Sequence, residues 1–343
     1  MKWLGIAAII YLGLAVAEMA WLIWDLRRFN RSEQRCSMIA GLPEITGIVT
    51  QNVVARRSLA LPKRAPANLT IHPRNLTFAV APQNGRWWLG GDAVATAFYN
   101  ALSASFPSGE RFFMDSVRHF RGCASGGLRE QIAAFLSQEA QHTREHIAFN
   151  SQIAQHNLGV AAMQARAEAR LAIARTHVPL VQLGETIALE HITAILANAL
   201  LSDPRHLAGA SNRTQAMWRW HAIEEIEHKS VAYDTFFAAT NLHSGARRWA
   251  LRVSTMAAAT WLLFATMGRN IADGFTADGI NRPATWARLF GYLLVKPGIL
   301  RQALPGYLSY FLPGFHPWQY DNRALITRAE QSLERDYANG AAT

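Results

Sequence analysis

The chain has 343 residues, half of them apolar and 17% charged, with a net charge of +10. So apolar a composition points to membrane contact or to long buried helices, and the basic surplus selects nucleic acid or anionic lipid as partner. No basic–aromatic alternation or nucleic-acid motif is present, which favours lipid and excludes nucleic acid; Cys36 and Cys123 belong to no CxxC pair, so neither a zinc ribbon nor a disulfide framework is expected.

Residues 3–24, WLGIAAIIYLGLAVAEMAWLIW, carry one charge, Glu18. That length spans a bilayer as a helix. Trp3, Trp21 and Trp24 lie near its ends, and Arg27, Arg28 and Arg31 follow it against Lys2 before it. By the positive-inside rule the body lies in the cytoplasm. A cleaved signal peptide ending at AVAE is the rival, disfavoured because apolar sequence runs on to Trp24. The expectation is therefore an inner-membrane protein with one N-terminal span, anchored by residues 1–29. Residues 30–92 read as linker and lead-in, with short extended pieces between Ile71 and Trp88.

The region 93–243 predicts a four-helix bundle. Its first helix holds Phe106, Phe113, Val117 and Phe120 at helical spacing, broken by Pro107. The second opens at Gly126 and Gly127, the third near Pro179. The fourth runs from a cap at Ser211 or Asn212 to Thr240. Residues 244–343 predict apolar and amphipathic helices packed on the bundle or a membrane. WALRVSTMAAATWLLFATM is about one membrane thickness long but is interrupted by Arg252, which favours a core helix over a second span.

The chemistry lies on the inner faces of the bundle. They offer Glu110, then Glu139 and His142, then Glu190, then His221, Glu225 and His228. The order Glu, Glu-x-x-His, Glu, Glu-x-x-His is that of carboxylate-bridged di-metal bundles. Residues i and i+3 lie about 60° apart on a helix, so each Glu-x-x-His can serve one ion. Four buried glutamates without cations would be very costly, and two divalent ions offset that cost. Carboxylate and imidazole donors suit iron, with manganese or zinc as alternatives. His146, one turn beyond His142, is an outer ligand or a supporting group. His191 points about 100° from Glu190 and reads as a core histidine, although a supporting role stays open. His316 reads as a packed turn residue. Glu224 competes with Glu225 for the inward position; symmetry with the second helix selects Glu225 and leaves Glu224 to orient an imidazole. Glu227 is expected to be solvated or ion-paired.

Two resemblances follow from these residues. NALSASFPSGERFFMDSVR, QEAQHTREHIAFN, ALEHITA, WHAIEEIEHKSVAYD and PGFHPW resemble the bacterial family of predicted metal-dependent hydrolases, over roughly residues 70–320. The set His221-x-x-x-Glu225-x-x-His228, with Glu110, Glu139, His142 and Glu190, resembles ferritin-like di-iron oxygenases of the p-aminobenzoate N-oxygenase type. That likeness implies a ferritin-like all-α fold, two irons, O₂ and an electron donor as partners, and an apolar or aromatic small-molecule substrate. The expected activity is oxygen activation. Hydrolysis of a phosphate or ester is the alternative, and a non-enzymatic metal-binding bundle the third reading.

Overall fold

The computed structural model describes residues 65–66, 69–78, 85–156 and 158–341. Residues 3–24, the expected span, and the rest of the expected anchor lie outside them. The described residues form helices and no strand; residues 69–78, within the lead-in, belong to no regular element.

Helix α1 spans Ala93–His119 and is capped by Asp92, whose side chain accepts from the Val94 and Ala95 N–H groups. Pro107 does not break it. Proline cannot donate to the carbonyl four residues back; that carbonyl, Ser103 O, instead accepts from Asn150 Nδ2 at 2.8 Å. The helix stays continuous because its neighbour repairs the gap. Asn150 belongs to α2, Gly127–Ala154. Helix α3, Val160–Ala174, is an element the sequence reading did not anticipate. Helix α4, Pro179–Ser202, begins with proline at its first turn, where no N–H is needed.

The expected fourth helix is two. Helix α5 spans Asn212–Glu227, with Ser211 accepting from Thr214 N–H, and ends on His228. Helix α6, Val231–Ala239, follows after a short turn. His228 still donates its backbone N–H to Glu224 O at 3.1 Å, so the side chain stays one turn below Glu225.

Helices α1, α2, α4 and α5–α6 make the bundle. Each passes from one apolar block to another. Tyr99, Phe149, Leu200 and Trp220 belong to the first block. Phe112, Phe135, Leu183 and Phe236 belong to the second. Glu110, Glu139, Glu190 and Glu225 fall between these levels on their helices, so the polar layer is sealed above and below.

Beyond the bundle lie α7 (Gly245–Ala277), α8 (Pro283–Leu294), α9 (Ile299–Ser309) and α10 (Arg323–Ala341). Helix α7 packs on α4 and α1, α9 on α4, and α10 on α5. Helices α4 and α7 are both long and apolar enough to cross a membrane by length and composition. Yet α4 is largely buried at the centre of the bundle, and α7 carries the buried Arg252. Arg252 donates to Tyr310 O, and to Leu312 O at 2.9 Å, tying α7 to the end of α9.

Candidate metal centre

Glu110, Glu139, His142, Glu190, His221, Glu225 and His228 converge on one buried layer, none more than 4% exposed. Glu139, Glu225 and His228 bring one atom each within 4.8 Å of one another, and so do His142, His221 and Glu225. Glu110 joins Glu139 and His142 in a third such group. Glu190 enters through His228, with Oε2 3.4 Å from Nε2. Such groups can hold metal ions.

Glu225 is the glutamate that faces the layer. Its Oε1 lies 3.1 Å from His221 Nε2 and 3.5 Å from both His142 Nδ1 and His228 Nε2. Glu224 points the other way, with Oε2 3.0 Å from His142 Nε2. Its Oε1 accepts from the Arg74 backbone N–H at 2.9 Å. Glu227 is buried, paired with Arg74 at 2.6 Å.

The hydrogen-bond network assigns a tautomer to each histidine. Glu224 as a carboxylate only accepts, so His142 carries its proton on Nε2 and leaves Nδ1 bare. Gln138 Nε2 donates to Glu227 Oε2 at 2.9 Å, which turns Gln138 Oε1 toward His228 Nδ1 at 3.1 Å. His228 therefore donates from Nδ1 and turns Nε2 toward Glu139, Glu190 and Glu225. A longer chain fixes His221. Asn150, oriented by the Ser103 carbonyl, accepts from Ser103 Oγ at 2.7 Å. Ser103 Oγ then accepts from His146 Nδ1 at 2.8 Å, and His146 Nε2 from His221 Nδ1 at 2.6 Å. That leaves His221 Nε2 bare beside Glu225. Both His146 nitrogens are used, which makes it a positioning group, although it also stands within reach of Glu110 and His221 as a possible donor. His191 is elsewhere: it meets Gly306 O at 3.0 Å and lies tilted against Tyr310 and edge-on to Phe315. His316 sits in its turn, 3.1 Å from Asp234 Oδ1.

Bare nitrogens thus face carboxylate oxygens. Both oxygens of Glu139 and of Glu190, Glu110 Oε1, Glu225 Oε2, His142 Nδ1 and His228 Nε2 are buried without a hydrogen-bond partner. Buried acceptors are rarely left so, and a set aimed at one another is one that a cation could satisfy. The residues fit metal.

Electrostatics agree. Burial pushes the Glu110 and Glu139 carboxyls up, with neighbouring glutamates adding to it. Burial raises Glu190 to about 7 against the pull of His228. Burial and then His221 hold His142 well below the usual imidazole range. For His228 burial works downward, but Glu190 and Glu225 outweigh it and hold the group well above that range.

An apolar cavity of about 40 Å³ touches His221 and Glu225, lined also by Leu102, Phe106, Thr193 and Leu196. Those four residues also line a larger cavity of about 130 Å³ between α1, α3, α4 and α7.

Fold and layer define a class: a helical-bundle protein with a buried carboxylate–imidazole centre able to hold metal. The chain belongs to the family described as predicted metal-dependent hydrolase, whose profile matches residues 72–321. No curated protein and no solved structure matches it.

Arg74, Gln138, Ser103 and Asn150 escaped the sequence reading. Gln138 had a signal: it precedes Glu139 as Glu224 precedes Glu225. Arg74, from the lead-in segment, had none.

Proposed function

We propose that the chain is a metal-dependent hydrolase of an apolar ester or phosphoester. Its two ions are held by Glu110, Glu139, His142, Glu190, His221, Glu225 and His228. The observation that carries this reading is the set of buried, unpartnered donor atoms aimed into one layer, together with membership of the family. Iron, manganese and zinc all suit these donors. Bound divalent ions would supply Lewis acidity toward a carbonyl or phosphoryl oxygen. The chain does the rest. Leu102, Phe106 and Leu196 keep water from the His221 side. Glu224 and Gln138 hold His142 and His228 in the tautomers that face inward. The Ser103–His146–His221 chain keeps a proton on His221 Nδ1. Thr143 Oγ1 holds Glu110 Oε2 at 2.8 Å, leaving Oε1 for a cation.

A second reading rests on one specific observation. His221 stands 3.1 Å from Glu225, adding a third donor on the last ligand helix, as the resemblance to p-aminobenzoate N-oxygenase-type enzymes implies. In that reading the centre is a ferritin-like di-iron site, and the chain activates O₂ with an external electron donor. The two are separated by one experiment. The full chain is purified without oxygen, loaded with Fe(II) or with Zn(II), and assayed for metal per chain, ester and phosphoester turnover, and O₂ uptake. Turnover by the zinc form without O₂ uptake is the expected result. O₂ uptake by the iron form with no hydrolysis by either form would overturn the hydrolase reading in favour of the second.

A further inference from the structure

Between Trp249 and Gly268 helix α7 holds twenty residues, and the one charged side chain among them, Arg252, is turned inward and buried. The outward face is apolar over about 30 Å, at 1.5 Å per residue. Trp261, at 66%, is among the most exposed of the large apolar side chains, and Leu262 and Phe264 stand beside it. Helix α9 and the turn after it reach α7 at two points: Trp249 Nε1 donates to Phe311 O at 2.9 Å, and Thr260 Oγ1 meets the Tyr307 hydroxyl at 3.0 Å. Leu304, Leu308 and Leu312 are exposed there as well. A face this large rarely stays bare in water.

Its borders name the occupant. Arg247 and Arg248 precede it and Arg269 follows it, on a chain of net charge +10. Apolar centre with basic rim is the pattern of a surface seated on anionic lipid. The apolar run 3–24 lies on the same chain and would hold it near a bilayer. Leu262 links this face to the chemistry, because it also lines the larger cavity that shares Phe106 and Leu196 with the pocket at His221 and Glu225.

We propose that the α7–α9 face seats the protein on an anionic bilayer, and that the cavity draws an apolar, acyl-type substrate from that bilayer past Leu262. The second half rests on the hydrolase reading; the first does not.

The test uses the full metal-loaded chain in vesicles of phosphatidylcholine, with or without phosphatidylglycerol, that contain a photoactivatable acyl-chain lipid. Crosslinks mapped by mass spectrometry are expected in 249–268 and 299–312 as well as near the amino terminus. Their yield on α7 should rise at least about tenfold with phosphatidylglycerol, since each basic residue near an anionic surface adds about 1 kcal/mol. The double variant W261E/F264E, at exposed positions outside the cavity lining, should lose those crosslinks and keep its metal. It should also lose turnover of a long-chain ester delivered in vesicles while keeping that of a short soluble ester. Crosslinks confined to the first thirty or so residues, or a face shielded by that segment or by a second copy, would overturn the seating. Equal yield with and without phosphatidylglycerol would overturn the anionic preference. Crosslinks on α7 with no turnover of either ester would leave the seating standing and remove the hydrolase reading instead.

Discussion

The two Glu-x-x-His halves of the centre look alike in sequence and are held differently. Each histidine is braced by the residue that precedes the glutamate of the opposite half. His142 on α2 donates to Glu224 on α5, and His228 at the end of α5 donates to Gln138 on α2. One brace is a carboxylate, the other a neutral amide. A charged acceptor makes the stronger hydrogen bond and the more electron-rich imidazole. Both braces end on one residue. Glu224 meets Arg74 directly, and Gln138 reaches it through Glu227. The protonation states differ too: without metal, His142 is held neutral and His228 protonated. The lesson is that a repeated motif fixes where donors go, while the layer behind it decides how strongly each binds.

The largest effects come from the donors themselves. Glu139→Ala and His228→Ala each remove an atom that no neighbour replaces, and both should abolish stoichiometric metal binding by elemental analysis. Retained stoichiometry in either would break the assignment of that half. Next is Arg74→Met, which strips the shared cation from buried Glu224 and Glu227. Leaving buried charge unpaired costs about 3–5 kcal/mol, and because Arg74 is partly exposed the lower end is expected in denaturant titration. Both halves should weaken together; loss confined to one would show that Arg74 is not their common anchor.

The comparison also has a pH signature. Unfolded Glu190 loses its proton near 4.5, folded Glu190 near 7. Between those values the folded, metal-free chain holds an extra proton, so its stability falls as pH rises, by about 1.4 kcal/mol per unit of displacement. Raised His228 acts with the same sign above its usual range: its contribution is present at low pH and lost as pH climbs. Lowered His142 acts the other way, but its change is already fading at 6.5, where the unfolded imidazole is half deprotonated. Metal-free protein should therefore melt lower at pH 8 than at pH 6.5. Metal-loaded protein should lose that dependence, because the ions take the place of the protons. A metal-free melting temperature that rises over this interval would refute the assignment.

Much of the centre was legible because helical spacing converts sequence into direction. Glu139 and His142, or Glu225 and His228, need only i,i+3 geometry. The all-helical fold was legible for the same reason. What the sequence hid was long-range. Pro107 reads as a break until Asn150, from another helix, is seen to satisfy Ser103 O. Helix α5 ends at His228 where periodicity alone would carry it to Thr240. Glu227 reads as solvated or ion-paired; that its partner is Arg74, more than a hundred residues earlier, and that the pair is buried could not be read from spacing. Arg252 favours a core helix over a span in the sequence, but its carbonyl partners, Tyr310 and Leu312 just past α9, could not be read there.

The smallest effect is also the sharpest test of the comparison, because it sets one brace against the other. Replacing Glu224 or Gln138 by leucine removes one acceptor and leaves every metal donor in place. Loss of an outer partner to a metal-bound histidine costs about 10–100-fold in metal affinity. Glu224→Leu should fall at the upper end, since it removes a charged acceptor that also engages the Arg74 N–H. Gln138→Leu should fall at the lower end, since the lost acceptor is neutral, although it also frees Glu227 Oε2 of one donor. Competition with a chromophoric chelator measures both. Equal losses would mean that the charge of the brace is irrelevant and that only the tautomer matters. A larger loss in Gln138→Leu would mean that the proton on His228, not the basicity of His142, limits how tightly the layer holds its ions.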